Sequence, residues 1–391
     1  MRIVAAMDAY DAGMRSEQSL ELHTLRGHQG SVNTIAMAPD ARRAVSLSWD
    51  TTMVVWDIES GSELHTLRGH QGSVTAAFVT GDGRRIVSGA EDRTLLVWEL
   101  DSGEVVSTLR GHAGAVSAIA PVPGRPLLVS GAWDRTIRVW DIEAFVELRA
   151  LHCHDRSVTA LAVTPDGRHV ISGSGDGRVC VSDLDSATAA HPEDGHGGPV
   201  TAVVAALGGR AAVSASLDGS LLVWDVQTGR QLRALEGHTE AVTSLATTPD
   251  GSRALSGSED GFVRVWDVAS GAVVHVLGGH GGCVSAIAVT PDGREAVSGS
   301  YDMTIAVWDL ELGERIRVMS GHHGPIEAVA VTPDGRRVVS GSEDHTVRVW
   351  DLAAVLGEYR DGLRVGASSA QRRVQIAAKN HFWGAPSRNE G

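Results

Sequence analysis

Eight histidines recur every 42 residues (His28, His70, His112, His154, His196, His238, His280 and His322). Each is followed 18 positions on by a serine (Ser46, Ser88, Ser130, Ser172, Ser214, Ser256, Ser298 and Ser340) and 22 positions on by an aspartate (Asp50, Asp92, Asp134, Asp176, Asp218, Asp260, Asp302 and Asp344). His, Ser and Asp together are the constituents of a nucleophilic triad. Eight identical triads have no catalytic logic, so the repetition favours a buried polar network, closed by a tryptophan N–H 28 residues after each histidine (Trp56, Trp98, Trp140, Trp224, Trp266, Trp308 and Trp350, with Ser182 in the fourth copy). The run His152-Cys153-His154-Asp155 contains metal-ligand types, but His154 already belongs to the repeat, and no metal or other cofactor is expected. General acid/base chemistry is left with Glu91, Glu259 and Glu343, on the second, sixth and eighth repeats and too dispersed to act together. No residue is assigned a catalytic role.

The elements that must hold these residues are strands. Before each Trp site the preceding residue is always Val and the residue three back always apolar, a two-residue period. Upstream, apolar runs flank Pro165-Asp166-Gly167, Pro291-Asp292-Gly293 and Pro333-Asp334-Gly335, which is tight-turn chemistry. A fourth segment, such as 62–67, follows each Trp-Asp. Four strands per 42-residue unit predict an antiparallel sheet that cannot bury both faces alone and must stack on its neighbours.

Gly69-His70 with Trp98-Glu99, and Gly237-His238 with Trp266-Asp267, resemble the Gly-His and Trp-Asp ends of WD40 repeats, over about residues 19–351. The resemblance implies an all-β, eight-bladed propeller around a central channel, with four antiparallel strands per blade. Residues 20–27 nearly copy 64–69 and no comparable strand follows Asp351, so the N-terminal strand is expected to complete the eighth blade. The expected organisation is a 1–18 extension, a 19–351 propeller and a 352–391 basic, flexible tail. In that tail Arg360, Arg364, Arg372, Arg373, Lys379 and Arg388 accompany Val374, Ile376, Phe382 and Trp383, enough for a short docking helix. The fourth unit is expected to be weakest: Cys153 replaces Gly, Ser182 replaces Trp, and Pro192 interrupts its outer-strand region.

A net charge of −14 over 391 residues argues against a nucleic-acid surface, and no apolar run or leader-like segment suggests a membrane or export. Three cysteines without metal-type spacing fit a reducing cytoplasm. Abundant Arg beside a single lysine, Lys379, suggests a bacterial source.

Function is therefore sought where the repeats disagree. The resemblance places the residue before each repeated Asp at the channel mouth: Trp49, Glu91, Trp133, Gly175, Leu217, Glu259, Tyr301 and Glu343. Beside them Asn33, Thr75, Ser117, Thr159, Thr201, Thr243, Ser285 and Glu327 are expected to line the same mouth. Aromatic anchors among carboxylates suit a protein or peptide with apolar and basic side chains. The expected function is a non-catalytic scaffold that organises a complex. The alternatives are a sensor or regulatory module of a kinase- or NTPase-linked system, or an enzyme using the mouth carboxylates.

Overall fold

A computed structural model describes residues 20–186, 188–190 and 195–361. Thirty-two strands among them form eight four-stranded antiparallel sheets, arranged as the blades of a closed ring. Blade 1 runs Val32–Met37, Arg43–Ser48, Met53–Asp57 and Ser62–Leu67, from the channel outward, and the other blades repeat this order. Blade 8 is built from Ile326–Val331, Arg337–Ser342 and Thr346–Asp351, and its outer strand is Glu21–Arg26 from the other end of the chain. There Thr24 faces Arg348, Leu25 faces Val347, and the Asp351 N–H donates to the Leu20 carbonyl (2.8 Å). The ring thus closes through the N-terminal strand.

The alternating apolar pattern becomes a set of inter-blade cores. The second and third strands are largely buried, Phe262 excepted, and each Trp is packed against residues of the preceding blade, as Trp56 is with Val339, Val347 and Val349. At the opposite face from the histidines, each Thr-x-Asp-Gly turn is pinned by a Thr hydroxyl donating to the Asp two residues on, as in Thr164 to Asp166 (2.5 Å). Its glycine has positive φ, +67° at Gly167, where a Cβ would be strained.

Two places depart from the regular unit. Among the described residues the outer strand of blade 4 is Ala189–Ala190 alone, pairing Val181 and Ser182, while the other side of Val179–Asp183 is fully paired with His169–Ser174. At the other end, the chain does not leave the ring at residue 351. Residues 352–361 form a helix, begun by Asp351 accepting the Ala354 N–H (2.9 Å), and Leu352, Val355 and Leu356 are buried against Trp350, Ile305 and Met319. The expected tail therefore begins as a packed element. The suggested docking helix at 374–383 and the extension 1–18 lie outside the described residues.

Candidate partner-binding face

The recurrent polar residues form the frame. In blade 2, His70 Nδ1 lies 2.9 Å from Asp92 Oδ2, His70 Nε2 lies 2.8 Å from Ser88 Oγ, and Trp98 Nε1 donates to the same hydroxyl (2.9 Å). A carboxylate only accepts, so Nδ1 carries the proton and the serine hydroxyl donates to Nε2. Burial pushes His28, His70, His112, His196 and His238 below the usual imidazole range, outweighing the adjacent carboxylates, and takes His196 down to about 4. The aspartates move the same way for the opposite reason. Burial alone would raise Asp50, but hydrogen bonds from Thr52 and the Gln29 N–H hold it at about 2. These groups are spent on one another, which gives them a structural role.

A further member of the network went unread in the sequence. Two residues after the Asp, a hydroxyl donates to its carboxylate and meets His Nδ1: Thr52, Thr94, Thr136, Ser220, Thr304 and Thr346. Its recurrence in six of eight units was the available signal. Arg178 and Phe262 replace it in blades 4 and 6. In blade 4 the His154–Asp176 separation widens to 3.6 Å and His154 Nδ1 is buried without a partner.

This frame fixes the turn that carries the variable residues. The Trp49, Glu91, Trp133, Gly175, Leu217, Glu259, Tyr301 and Glu343 N–H groups each donate to the carbonyl of the residue just before an inner strand, at 2.8–3.1 Å. The residue after the Asp is left-handed in all eight blades, from +66° at His345 to +83° at Gly177 and Gly219. Backbone is thus held alike while side chains differ. Trp49, Trp133, Leu217 and Tyr301 are 60%, 61%, 49% and 44% exposed. Glu91, Glu259 and Glu343 are exposed as well.

The second expected row has a different job. Thr75, Thr159, Thr201 and Thr243 donate to the first-strand carbonyl of the next blade, at Val116, Val200, Val242 and Val284 (2.6–2.7 Å). Asn33, Ser117 and Ser285 do the same to Val74, Val158 and Ile326. These residues tie blade to blade, so they are not simply mouth lining. Their partners lie 41 residues away on another sheet, which the repeat pattern did not expose.

Glu327 occupies the eighth such position, where a carboxylate has no proton to donate. Its carboxyl lies within electrostatic reach of the Tyr301 hydroxyl and of Glu343. Burial and the Glu343 charge raise Glu327, and burial with the Glu327 carboxylate pushes the Tyr301 phenol up to about 12. Tyr301, Glu327 and Glu343 are therefore electrostatic neighbours, forming an acidic sector on blades 7 and 8. Trp49, Glu91, Trp133, Leu217 and Glu259 share the face through the common turn.

Comparison with known proteins decides the family. The profile of the WD domain, G-beta repeat, matches residues 103–141, 145–183, 190–225, 229–267, 271–309 and 313–351. The chain is a WD40-repeat protein. Residues 22–120 match a second profile, the NWD2 C-terminal beta-propeller, so WD40 blades 1 and 2 are covered as well. Among solved structures, the computationally designed Ika8 protein is 36% identical, with a TM-score of 0.76 over 85% of this chain and 99% of its own. No curated protein matches the chain. WD40 propellers generally serve as protein-interaction scaffolds, and no helix among the described residues is long and apolar enough to cross a membrane.

Proposed function

We propose that this WD40 ring is a non-catalytic scaffold that binds a protein or peptide across the face bearing Trp49, Trp133, Leu217 and Tyr301. The observation that carries the reading is the exposure of four large apolar side chains on turns whose backbones are fixed alike. Rigid, exposed aromatics are effective anchors because little side-chain freedom is lost on binding. The sector of Glu327 and Glu343, with Glu91 and Glu259 on the same face, favours basic side chains in the partner and disfavours nucleic acid. The reading places the complex in a bacterial cytoplasm, and it draws no catalytic role from the carboxylates, since Glu91 and Glu259 sit on opposite blades of the ring.

The test is a partner captured from native cells and remeasured with purified components. Changing Trp49→Ala together with Trp133→Ala is expected to weaken binding at least about tenfold, or about 1.4 kcal/mol. The Glu91→Gln, Glu259→Gln and Glu343→Gln changes are expected to flatten the salt dependence of association. Wild-type affinity in a folded double Trp variant would move the binding surface away from this face.

One observation favours the sensor reading in particular: residues 22–120 match a propeller described as C-terminal, hence one module of a longer chain. Co-purification of a kinase or NTPase, with its turnover altered by the ring, would support that role.

A further inference from the structure

Blade 4 holds two linked substitutions. In five other blades a Cβ added to the glycine before the histidine would lie 2.9–3.1 Å from the tip of the blade's Trp: Gly27, Gly69, Gly111, Gly237 and Gly321. Glycine at this place is what the indole demands. In blade 4 the indole is gone, Ser182 stands in its place, and Cys153 replaces the glycine. The Cys153 side chain then turns toward the space the indole would fill, where the residue two before the Trp site also points; in blade 4 that residue is Cys180.

The two thiols are neighbours: in other blades a Cβ at the glycine position meets the side chain two before the Trp, as at Gly69 with Leu96 and Gly237 with Arg264, and here those two side chains are Cys153 and Cys180. Cys153 Sγ lies 3.8 Å from Ser172 Oγ, Ser172 faces Cys180 across the strand ladder, and Cys180 Sγ lies 3.7 Å from Ser182 Oγ. Cys180 is 1% exposed while Cys153 reaches solvent. The neighbouring Cys180 thiol, with His154 and Ser172, pulls the Cys153 thiol well below its ordinary range, and the same pairing with burial pushes Cys180 up. Cys283 is the internal contrast: burial and the Glu259 and Glu327 carboxylates raise it.

We propose that Cys153 and Cys180 are a peroxide-sensitive dithiol that closes into an intrachain disulfide across blade 4. The reagent is a hydroperoxide. The Cys153 thiolate attacks the terminal peroxide oxygen, the O–O bond breaks, and the departing oxyanion takes a proton and leaves as water or alcohol. Cys153 is now a sulfenic acid. The Cys180 sulfur attacks Cys153 Sγ, the S–O bond breaks, and the oxygen leaves as water with the Cys180 proton. Two thiols are oxidised by two electrons and one peroxide is reduced. The product ties the segment after Val146–His152 to Val179–Asp183, at the blade whose outer strand among the described residues is Ala189–Ala190.

The test uses the full chain with limiting hydrogen peroxide and peptide mapping by mass spectrometry. The expected product is a 153–180 cross-linked peptide lighter by two hydrogens, reversed by dithiothreitol, with Cys283 still reduced. Before oxidation, iodoacetamide at neutral pH should label Cys153 at least about tenfold faster than Cys283. In Cys180→Ser the Cys153 sulfenic acid should persist and be trapped by dimedone. If that variant does not fold, mapping of the wild-type chain decides alone. Oxidation of Cys153 without the cross-link, or labelling of Cys283 as fast as Cys153, would overturn the proposal.

Discussion

A buried His such as His70 serves its blade through two hydrogen bonds, so His70→Ala is expected to leave Asp92 and Ser88 underpaired and to cost about 1–3 kcal/mol in denaturant unfolding. Acid should act on His28, His70, His112, His196 and His238 together. The folded chain keeps these imidazoles neutral below the pH at which free imidazole charges, so the unfolded chain binds more protons there and stability falls with pH. The loss begins near pH ~6.5 and for His196 continues down to about 4. Below that, Asp50 and Asp134, at about 2 when folded, add a second loss as unfolded carboxylates protonate first. A urea midpoint unchanged between pH ~7 and ~5 would show that the imidazoles are not held neutral. Blade 4 gives the sharpest residue-level prediction. Restoring its tryptophan looks stabilising from the sequence alone, but Cys153 stands where the indole tip belongs. Ser182→Trp alone is expected to destabilise by about 1–3 kcal/mol through overpacking. Adding Cys153→Gly should reverse the loss, a coupling that a double-mutant cycle reads directly.

The helix at 352–361 acts as a latch beside the seam of the ring. Glu295 occupies a position that is Arg43, Arg85, Arg253 and Arg337 in other blades, and of these Arg85 and Arg253 reach a carbonyl 57 residues on. Blade 8 has no such turn to offer, and the helix brings Arg360 to Glu295 instead (2.8 Å), with Thr290 also donating to that carboxylate. Glu295 is nearly buried, so Arg360→Glu is expected to lower the melting temperature, and Glu295→Arg in the same chain to recover part of it. Equal melting of the single and double variants would remove the latch role. The seam itself is tested by truncation: loss of residues 1–27 removes Glu21–Arg26 and should lower the melting temperature sharply, while loss of 1–15 should leave it unchanged.

Across the whole molecule, the architecture was legible because one 42-residue period carried the strands, the turns and the network at once, and the near-copy of residues 64–69 at 20–27 announced the closure. Contacts that cross between units were not. Thr75 and its equivalents read as small polar rim residues because nothing local to their own repeat points to the next blade's carbonyl. The latch was overlooked because the repeat stops there, although Leu352, Val355 and Leu356 have the i, i+3, i+4 spacing of a helix face after an Asp cap. The exposed face was readable only as a row of positions; that Tyr301, Glu327 and Glu343 act on one another depends on neighbouring blades. The closure also has a mechanical meaning. Leu20 and Asp351 are bonded neighbours at one end of an antiparallel pair, so tension applied between the two ends of the described chain is borne by one ladder bond at a time. Once the short helix is lifted, such a load peels Glu21–Arg26 from Thr346–Asp351 like a zip instead of shearing all its bonds together. A ring that resists heat as a closed circle would then yield at low force to any machine that pulls on its termini.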